Sequence, residues 1–356
     1  MNPQKVIKAE NLEQTLTTAV NECEHDKIFI LADETTKKLC LPVVAGYGCV
    51  AGAQTITIGA TDTHKTLQSL SHVWEELGRA GATRHSLLIN IGGGMVTDLG
   101  GFAASTFKRG INYINIPTTL LSMVDASVGG KTGINFNGLK NEIGVFNNAA
   151  SVILDTQFLR TMDRENILSG YAEMLKHGLI SDEAKWAELL AFDVEEPDLK
   201  ELGRMVVESV AVKQRIVTED PTEQGIRKAL NLGHTIGHAF ESFALKQSVI
   251  GNLESPILHG YAVAYGLICE LYLSVVKTGF PTDKMRQTVA FIKEHYGQMT
   301  ITCDDYPTLL ELMTHDKKNV GSTINFTLLG GIGDIRINQT ANKQEIYEAL
   351  DFYREC

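Results

Sequence analysis

Residues Ser86 to Gly101 read SLLINIGGGMVTDLGG, and this stretch decides the fold class. Ser86 to Ile91 is an apolar run of strand length that passes without a break into three glycines, after which Met95 opens a helix-compatible segment. Strand, glycine turn and helix in that order present backbone N–H groups to the pyrophosphate of a dinucleotide in doubly wound α/β sheets. The run departs from GxGxxG, because Thr97 stands where the third glycine belongs. Three further runs resemble it. Lys27 to Ala32 is apolar and closes on Asp33, ahead of a helical ETTKKLC. Thr55 to Ile58 is a short strand, followed by a polar loop (Gly59 to Lys65) and an amphipathic helix from Thr66 to Ala80 with Leu67, Leu70, Val73, Trp74 and Leu77 at helical spacing. Asn112 to Ile116 delivers Pro117-Thr118-Thr119 at its end. Near-continuous apolar runs of this kind predict parallel strands buried on both faces, with ligands off their carboxyl ends.

The next stretch, Ile116 to Phe146, reads IPTTLLSMVDASVGGKTGINFNGLKNEIGVF. Its five glycines, with Asp125, Lys131 and Lys140, suit a ligand-facing loop better than a helix interior. Gly129-Gly130-Lys131 reads as a loop that offers N–H groups and an ammonium to an anion.

At 356 residues the chain is too long for one core, so two domains are expected. A formal net charge of -11 argues against a nucleic-acid partner, though a local cation cluster remains compatible with an anionic small ligand. The opening MNPQKVIKAENLEQ lacks the apolar core of a secretory leader, and no window reads as a membrane span. Six scattered cysteines without a CxxC pair fit free thiols in a reducing cytosol. After Asp155 the sequence turns mostly helical until Thr323 to Leu329, which places the division between 1–155, an α/β nucleotide-binding domain, and 156–356, a helical domain. Glu195-Glu196-Pro197-Asp198 reads as a solvated acidic turn.

The helical half carries metal-type residues. In GYAEMLKH, Glu173, Lys176 and His177 share one helix face. In LGHTIGHAFE, His234 and His238 stand at i, i+4, but Thr235 replaces the glutamate that a zincin has after its first histidine. His259 opens a further apolar helix. A glutamate and two histidines make a three-ligand set for catalytic zinc, and spacing alone does not choose between His234 and His238. Arg109, Lys131, Lys140, Lys176, Arg227 with Asn231, and Lys317-Lys318 supply cations suited to a phosphate or carboxylate substrate.

These motifs, GGGMVTDLGGFAASTFKRG, IPTTLLSMVDASVGGKTGIN, FLRTM, GYAEMLKHG, EQGIRKALNLGHTIGHAFE, HGYAVAYG and HDKKN, resemble the 3-dehydroquinate synthase family over about residues 27 to 330. The resemblance implies a Rossmann-like NAD domain followed by a helical domain, and a Zn2+ or Co2+ site on Glu173, His234 and His259. It implies NAD contacts at Asp33 and Lys65, along Gly93, Gly94, Met95, Val96, Thr97 and Asp98, at Thr118, Thr119, Lys131 and Lys140, and along Phe158, Leu159, Arg160 and Thr161. Substrate contacts implied are Asp125, Lys131, Asn141, Lys176, Arg227, Asn231, His238 and one of Lys317 or Lys318, with Lys318 preferred. Arg109 resembles the residue that the family sends across a homodimer interface to the substrate phosphate. The implied reaction converts 3-deoxy-D-arabino-heptulosonate 7-phosphate, a sugar-acid phosphate, to 3-dehydroquinate and phosphate. A sister cyclase such as 2-deoxy-scyllo-inosose synthase, or a metal-dependent polyol dehydrogenase, is the alternative. Three loops depart from the family pattern: GATDTHK lacks the usual glutamate, Leu139 replaces a glycine, and Asn147-Asn148-Ala149 replaces an aromatic and a proline.

Overall fold

The apolar runs pair in parallel, as strands buried on both faces must when helices cover them. The computed structural model describes residues 4–137, 139–251, 256–314 and 324–356. It opens with β1 (Lys5–Lys8), α1 (Leu12–Glu22), β2 (Ile28–Asp33), α2 (Glu34–Leu39), α3 (Leu41–Val44) and β3 (Gln54–Ile58). Then come α4 (Leu67–Arg79), β4 (Leu87–Gly92), α5 (Gly94–Thr106), β5 (Asn112–Pro117), the hairpin β6 (Lys131–Phe136) and β7 (Leu139–Phe146), and β8 (Ser151–Leu154). One sheet has the order β1-β8-β5-β4-β2-β3 with every pairing parallel. From the β3 edge this is the flavodoxin-like doubly wound order with an added edge strand, and the winding reverses between β2 and β4. Asp33 ends β2 and Gly92 ends β4, so the acidic residue and the glycine turn flank the reversal point where such sheets take ligands.

Two local expectations are corrected. The glycine-rich stretch contains a single turn of π-helix over Ser122–Ala126, a form that recurs at functional sites. Beyond it, Lys131 opens an antiparallel hairpin rather than continuing a loop. Gly129 and Gly130 precede the hairpin with φ of 96° and 69°, a conformation that only glycine adopts without strain.

The rest is helical: α6 (Arg164–Leu179), α7 (Glu183–Ala191), α8 (Leu199–Glu219), α9 (His234–Val249), α10 (His259–Thr278), α11 (Thr282–Tyr296) and α12 (Tyr306–Thr314). A hairpin of β9 (Asn325–Gly331) and β10 (Asp334–Thr340) and a last helix α13 (Lys343–Glu355) follow. Two compact units emerge, Met1–Asp163 with Asp198–Gln214, and Arg164–Pro197 with Arg215–Cys356. The division expected at 155/156 therefore falls after Asp163, and most of α8 joins the first unit. The reason is local: the Thr156 hydroxyl donates to the Leu199 carbonyl at 3.2 Å, tying the turn after β8 to the start of α8.

The membrane reading needs one amendment. Among the described residues α10 is long and apolar enough to span by length and composition, with mean hydropathy 1.2, but 72% of that window is buried inside the protein. The acidic turn is also more than solvated: Glu195, though exposed, takes ion pairs from Arg164 and His295, and these pull its carboxyl down to about 2.

Candidate active site

In the second unit, glycines let three helices meet at backbone contact. A Cβ on Gly260 would clash with the Ser169 carbonyl of α6, and one on Gly266 would clash with the Gly233 carbonyl at the start of α9. Gly233 itself has φ of 77° and turns the chain sharply into α9. The Gly260 N–H also donates to the Ser169 hydroxyl at 3.1 Å, one helical turn before Glu173. These contacts bring the middle of α6 against the first residues of α9 and α10, which are His234 and His259.

Glu173 Oε1 lies 3.3 Å from His234 Nε2 and 3.4 Å from His259 Nε2. Tetrahedral ligands at about 2.0–2.1 Å from zinc are separated by about 3.3–3.4 Å, so the spacing fits a shared cation. The donor chemistry fits too. His234 Nδ1 lies 3.0 Å from the Leu232 carbonyl and His259 Nδ1 lies 3.3 Å from Glu241 Oε2, so each ring, when neutral, can give its N–H away from Glu173 and turn a lone pair toward a cation shared with it. Glu173 is fully buried, yet neither carboxylate oxygen makes a well-aligned hydrogen bond. A buried carboxylate without such bonds is costly, and a cation would relieve it.

Charge in this cluster is balanced without bulk water. Burial opposes ionisation of Glu173, but the ammonium of Lys176, itself buried and ion-paired to Oε2, and then the His234 ring hold the carboxyl well below its usual range. Burial likewise opposes a charged His259, while with no cation bound the carboxylates of Glu173 and Glu241 beside it raise it to about 10. His238, half-buried, stacks edge-on to His234 with ring centroids 5.3 Å apart. Arg227 is 1% exposed, and its Nη1 donates to the Pro221 carbonyl at 2.6 Å. Asn231 Nδ2 donates to Glu223 Oε1 at 2.9 Å. Asp220 accepts from the backbone N–H groups of Gln224, Gly225 and Arg227, which fixes the loop carrying that arginine. Lys317 and Lys318 lie outside the described residues.

In the first unit, α5 begins at Gly94 with Gly93 as N-cap and no side-chain cap. Its first-turn N–H groups, at Met95 and Val96, are thus left to an incoming anion. A Cβ at Gly93 would stand 3.1 Å from the Thr119 methyl and one at Gly94 would stand 3.1 Å from Ala126, so side chains there would fill the cradle. Thr97 is spent on the helix, donating to the Gly94 carbonyl at 3.1 Å. Farther along α5, Asp98 is half-buried and paired with the buried Lys65 ammonium at 2.5 Å, and Lys65 also donates to the Asn141 side-chain oxygen. Burial raises the Asp98 carboxyl while Lys65 opposes the rise. Despite lacking a glutamate, the 59–65 loop therefore delivers Lys65 inward.

Asp33 Oδ1 accepts from the N–H groups of Thr35 and Thr36, capping α2. Beside it, the Cys40 thiol contacts the hydroxyls of Thr118 and Thr161, so three expected cofactor residues gather around one thiol. Phe158 and Leu159 are buried in the 3-10 turn that carries Thr161, and Arg160 is exposed. Lys131 and Lys140 are exposed on the hairpin, and Lys140 sits 3.6 Å from Asp62. Arg109 is exposed, with φ of 71° directly after Lys108 at 48°. Two consecutive left-handed non-glycine residues cost energy, and such strain concentrates at functional positions.

Two residues escaped the sequence reading. Lys213 is buried on α8 and donates from Nζ to both Oδ1 and the backbone oxygen of Asp125 at 2.6 Å. A signal was present: Lys213 continues the stripe of Leu202, Met205, Val206, Ser209 and Val210, and a lysine on an apolar stripe calls for a partner. Glu241 follows His234 by two turns on α9, and only its contact with His259 identifies it.

Known proteins are similar to this chain in sequence and fold. Residues 55–169 match the family model for the 3-dehydroquinate synthase N-terminal region, and residues 170–319 match that for the C-terminal region. A 3-dehydroquinate synthase of Parabacteroides distasonis is 54% identical over 355 residues, covering 100% of this chain and 99% of its own. A crystal structure of 2-deoxy-scyllo-inosose synthase complexed with carbaglucose-6-phosphate, NAD+ and Co2+ superposes with a TM-score of 0.84 at 22% identity, covering 98% of this chain and 96% of that one. A 2-epi-5-epi-valiolone synthase from Streptomyces hygroscopicus with NAD+ and Zn2+ bound gives 0.81 at 23%, covering 99% and 97%. At these identities the two structures speak to fold alone.

Proposed function

The chain belongs to the 3-dehydroquinate synthase family, and from that premise we propose that it converts 3-deoxy-D-arabino-heptulosonate 7-phosphate to 3-dehydroquinate and phosphate, a lyase step of the shikimate pathway. The observation that carries the assignment to chemistry is the Glu173, His234 and His259 set, built on a fully buried carboxylate, with donor spacing suited to a divalent cation. When bound, NAD supplies a transient hydride acceptor and Zn2+ or Co2+ supplies Lewis acidity toward substrate oxygens.

The protein's own groups bind, orient and balance charge. Glu173, His234 and His259 hold the cation, and Lys176 neutralises the outer oxygen of Glu173 while its location suits a substrate oxygen. The uncapped first turn of α5, with Gly93, Gly94, Met95, Val96 and Thr97, takes the NAD pyrophosphate. Asp33, Thr118, Thr119, Phe158, Leu159, Arg160 and Thr161 serve the rest of the cofactor, with Asp98, Lys65 and Lys140 beside them. Lys131, Asn141, His238 and Lys318 are assigned to the substrate, chiefly its phosphate, whose own oxygens can accept the proton lost in elimination. Arg227, Asn231 and Asp125 orient its carboxylate and hydroxyls. Lys213 joins this set through its pair with Asp125.

A homodimer is the proposed assembly, with Arg109 reaching the phosphate of a second copy. In support, the β6–β7 hairpin exposes Phe136, Leu139, Ile143, Val145 and Phe146, an apolar edge that a lone chain would leave prone to association. The cytoplasm is the proposed compartment, supported by six free cysteines.

The test is phosphate release from 3-deoxy-D-arabino-heptulosonate 7-phosphate and, separately, from glucose 6-phosphate. The reading predicts release from the first alone, with no NADH accumulating. Release from glucose 6-phosphate would point to the inosose-type cyclase, and net NADH to a polyol dehydrogenase.

A further inference from the structure

We propose that Glu241 is a positioning residue that fixes the tautomer and ring orientation of His259, and that the affinity of the cation centre depends on it; the inference rests on the Glu173, His234 and His259 reading. Glu241 Oε2 lies 3.3 Å from His259 Nδ1, on the edge of the ring opposite the Nε2 that faces Glu173 at 3.4 Å. A carboxylate only accepts, and an imidazole that ligates a cation is neutral with one N–H to give, so in the loaded site the proton belongs on Nδ1 and the lone pair on Nε2. A carboxylate at that place also makes the ligating nitrogen a stronger donor.

The two histidines are supported unequally. His234 Nδ1 faces a main-chain carbonyl, that of Leu232 two residues before it, at 3.0 Å. His259 opens α10 after Leu258, which offers no side-chain cap, and its side chain is 28% exposed against 11% for His234. Among the described residues, Glu241 is the group that accepts from His259 Nδ1.

Glu241 is itself on a fixed platform. The buried carboxylate of Glu270, on α10, accepts from the N–H of Gly233 at 2.6 Å and of Ile236 at 3.1 Å. It stands in for the missing N-cap of α9, where charge and dipole agree. Thus α10 clamps the start of α9, and α9 returns Glu241 to the first residue of α10. Each helix holds the other's ligand. His238, Glu241 and His259 also present ligand atoms within 4.8 Å of one another, the pattern of a second cation site. If Nδ1 carries the proton, His259 cannot ligate through it, so the positioning role and a second ion exclude each other.

The test uses the full chain and its Glu241→Ala, Glu241→Gln and Glu173→Ala variants. Zn2+ affinity is read by competition with a chromophoric chelator, the environment of Co2+ by visible absorption, and fold by thermal unfolding in excess chelator. One ion per chain is expected throughout the wild type and Glu241 variants. Glu241→Ala should weaken binding about 10- to 100-fold and shift the Co2+ bands. Glu241→Gln, whose amide oxygen still accepts from Nδ1, should lose less, and both variants should still unfold cooperatively in chelator. Wild-type affinity in Glu241→Ala alongside lost binding in Glu173→Ala would overturn this inference and spare the ligand set. Wild-type affinity in Glu173→Ala would overturn the ligand set itself. Two ions per chain, falling to one in Glu241→Ala, would make Glu241 a ligand and overturn the positioning role.

Discussion

Replacing Gly266 by alanine should disable the cation centre without touching any ligand. Gly266 lies on α10 two turns beyond His259, and its Cα faces the start of α9. An added Cβ would overlap the Gly233 carbonyl and stand 2.7 Å from Gly237 N. Ordinary contact begins near 3.4 Å, so the nitrogen alone demands a shift of 3.4 minus 2.7, or 0.7 Å, and the carbonyl demands more. Both obstacles are backbone, so no side chain can rotate away. The helices must separate, and His234, one residue after Gly233, moves with α9. A functional constellation tolerates about 0.5 Å, and a displacement near 1 Å costs about 10²-fold in rate. Overpacking adds about 1–3 kcal/mol of destabilisation. Zn2+ competition, thermal unfolding and phosphate release are the assays, and Gly266→Ala should lose in all three. Gly78→Ala, on α4 with nothing within 4 Å, is the control and should be neutral or slightly stabilising. Wild-type cation affinity in Gly266→Ala would refute the claim that backbone contact between α9 and α10 sets the site.

Glu173→Ala should abolish tight cation binding and also destabilise the chelated protein by about 3–5 kcal/mol, because Lys176 is left buried without its counter-charge; chemical denaturation measures the loss. In the chelated protein the folded-state pKa of His259 is raised to about 10, so protonation stabilises fully below about 6.5, and that contribution disappears as pH climbs through 10. The unfolding temperature in chelator should therefore fall over that window, and His259→Gln should flatten the fall. Lys131→Ala should leave unfolding unchanged, because the side chain is exposed, yet lower kcat/KM for phosphate release by roughly 10²-fold; a fully active variant would remove Lys131 from the phosphate site.

The sheet was legible because burial on both faces leaves an unmistakable mark: β2, β4 and β5 are apolar almost throughout. Strand order was not, since it depends on which crossover helix covers which face. β7 escaped because every residue in it is exposed, which erases the alternation that betrays a half-buried strand. β1 is a four-residue edge strand, too short for any periodic pattern. In the helical half, the identity of α6, α9 and α10 was readable, but two histidines at i, i+4 look equivalent along a sequence. They differ in three dimensions because His234 is the first residue after the left-handed Gly233, which aims it at α6, while His238 lies one turn on. Lys213 was not singled out, although its place on an apolar stripe held the clue. The expected boundary at 155/156 and the end of the first compact stretch at Asp163 differ because helical texture changes before the packing does.

The most direct measurement is phosphate release from 3-deoxy-D-arabino-heptulosonate 7-phosphate by one preparation assayed as isolated, after chelation, and after adding back one equivalent of Zn2+ or Co2+, with absorbance at the NADH wavelength followed throughout. Turnover that vanishes on chelation, returns with the ion and never accumulates NADH is the predicted result. Undiminished turnover in a preparation shown to be metal-free would contradict it.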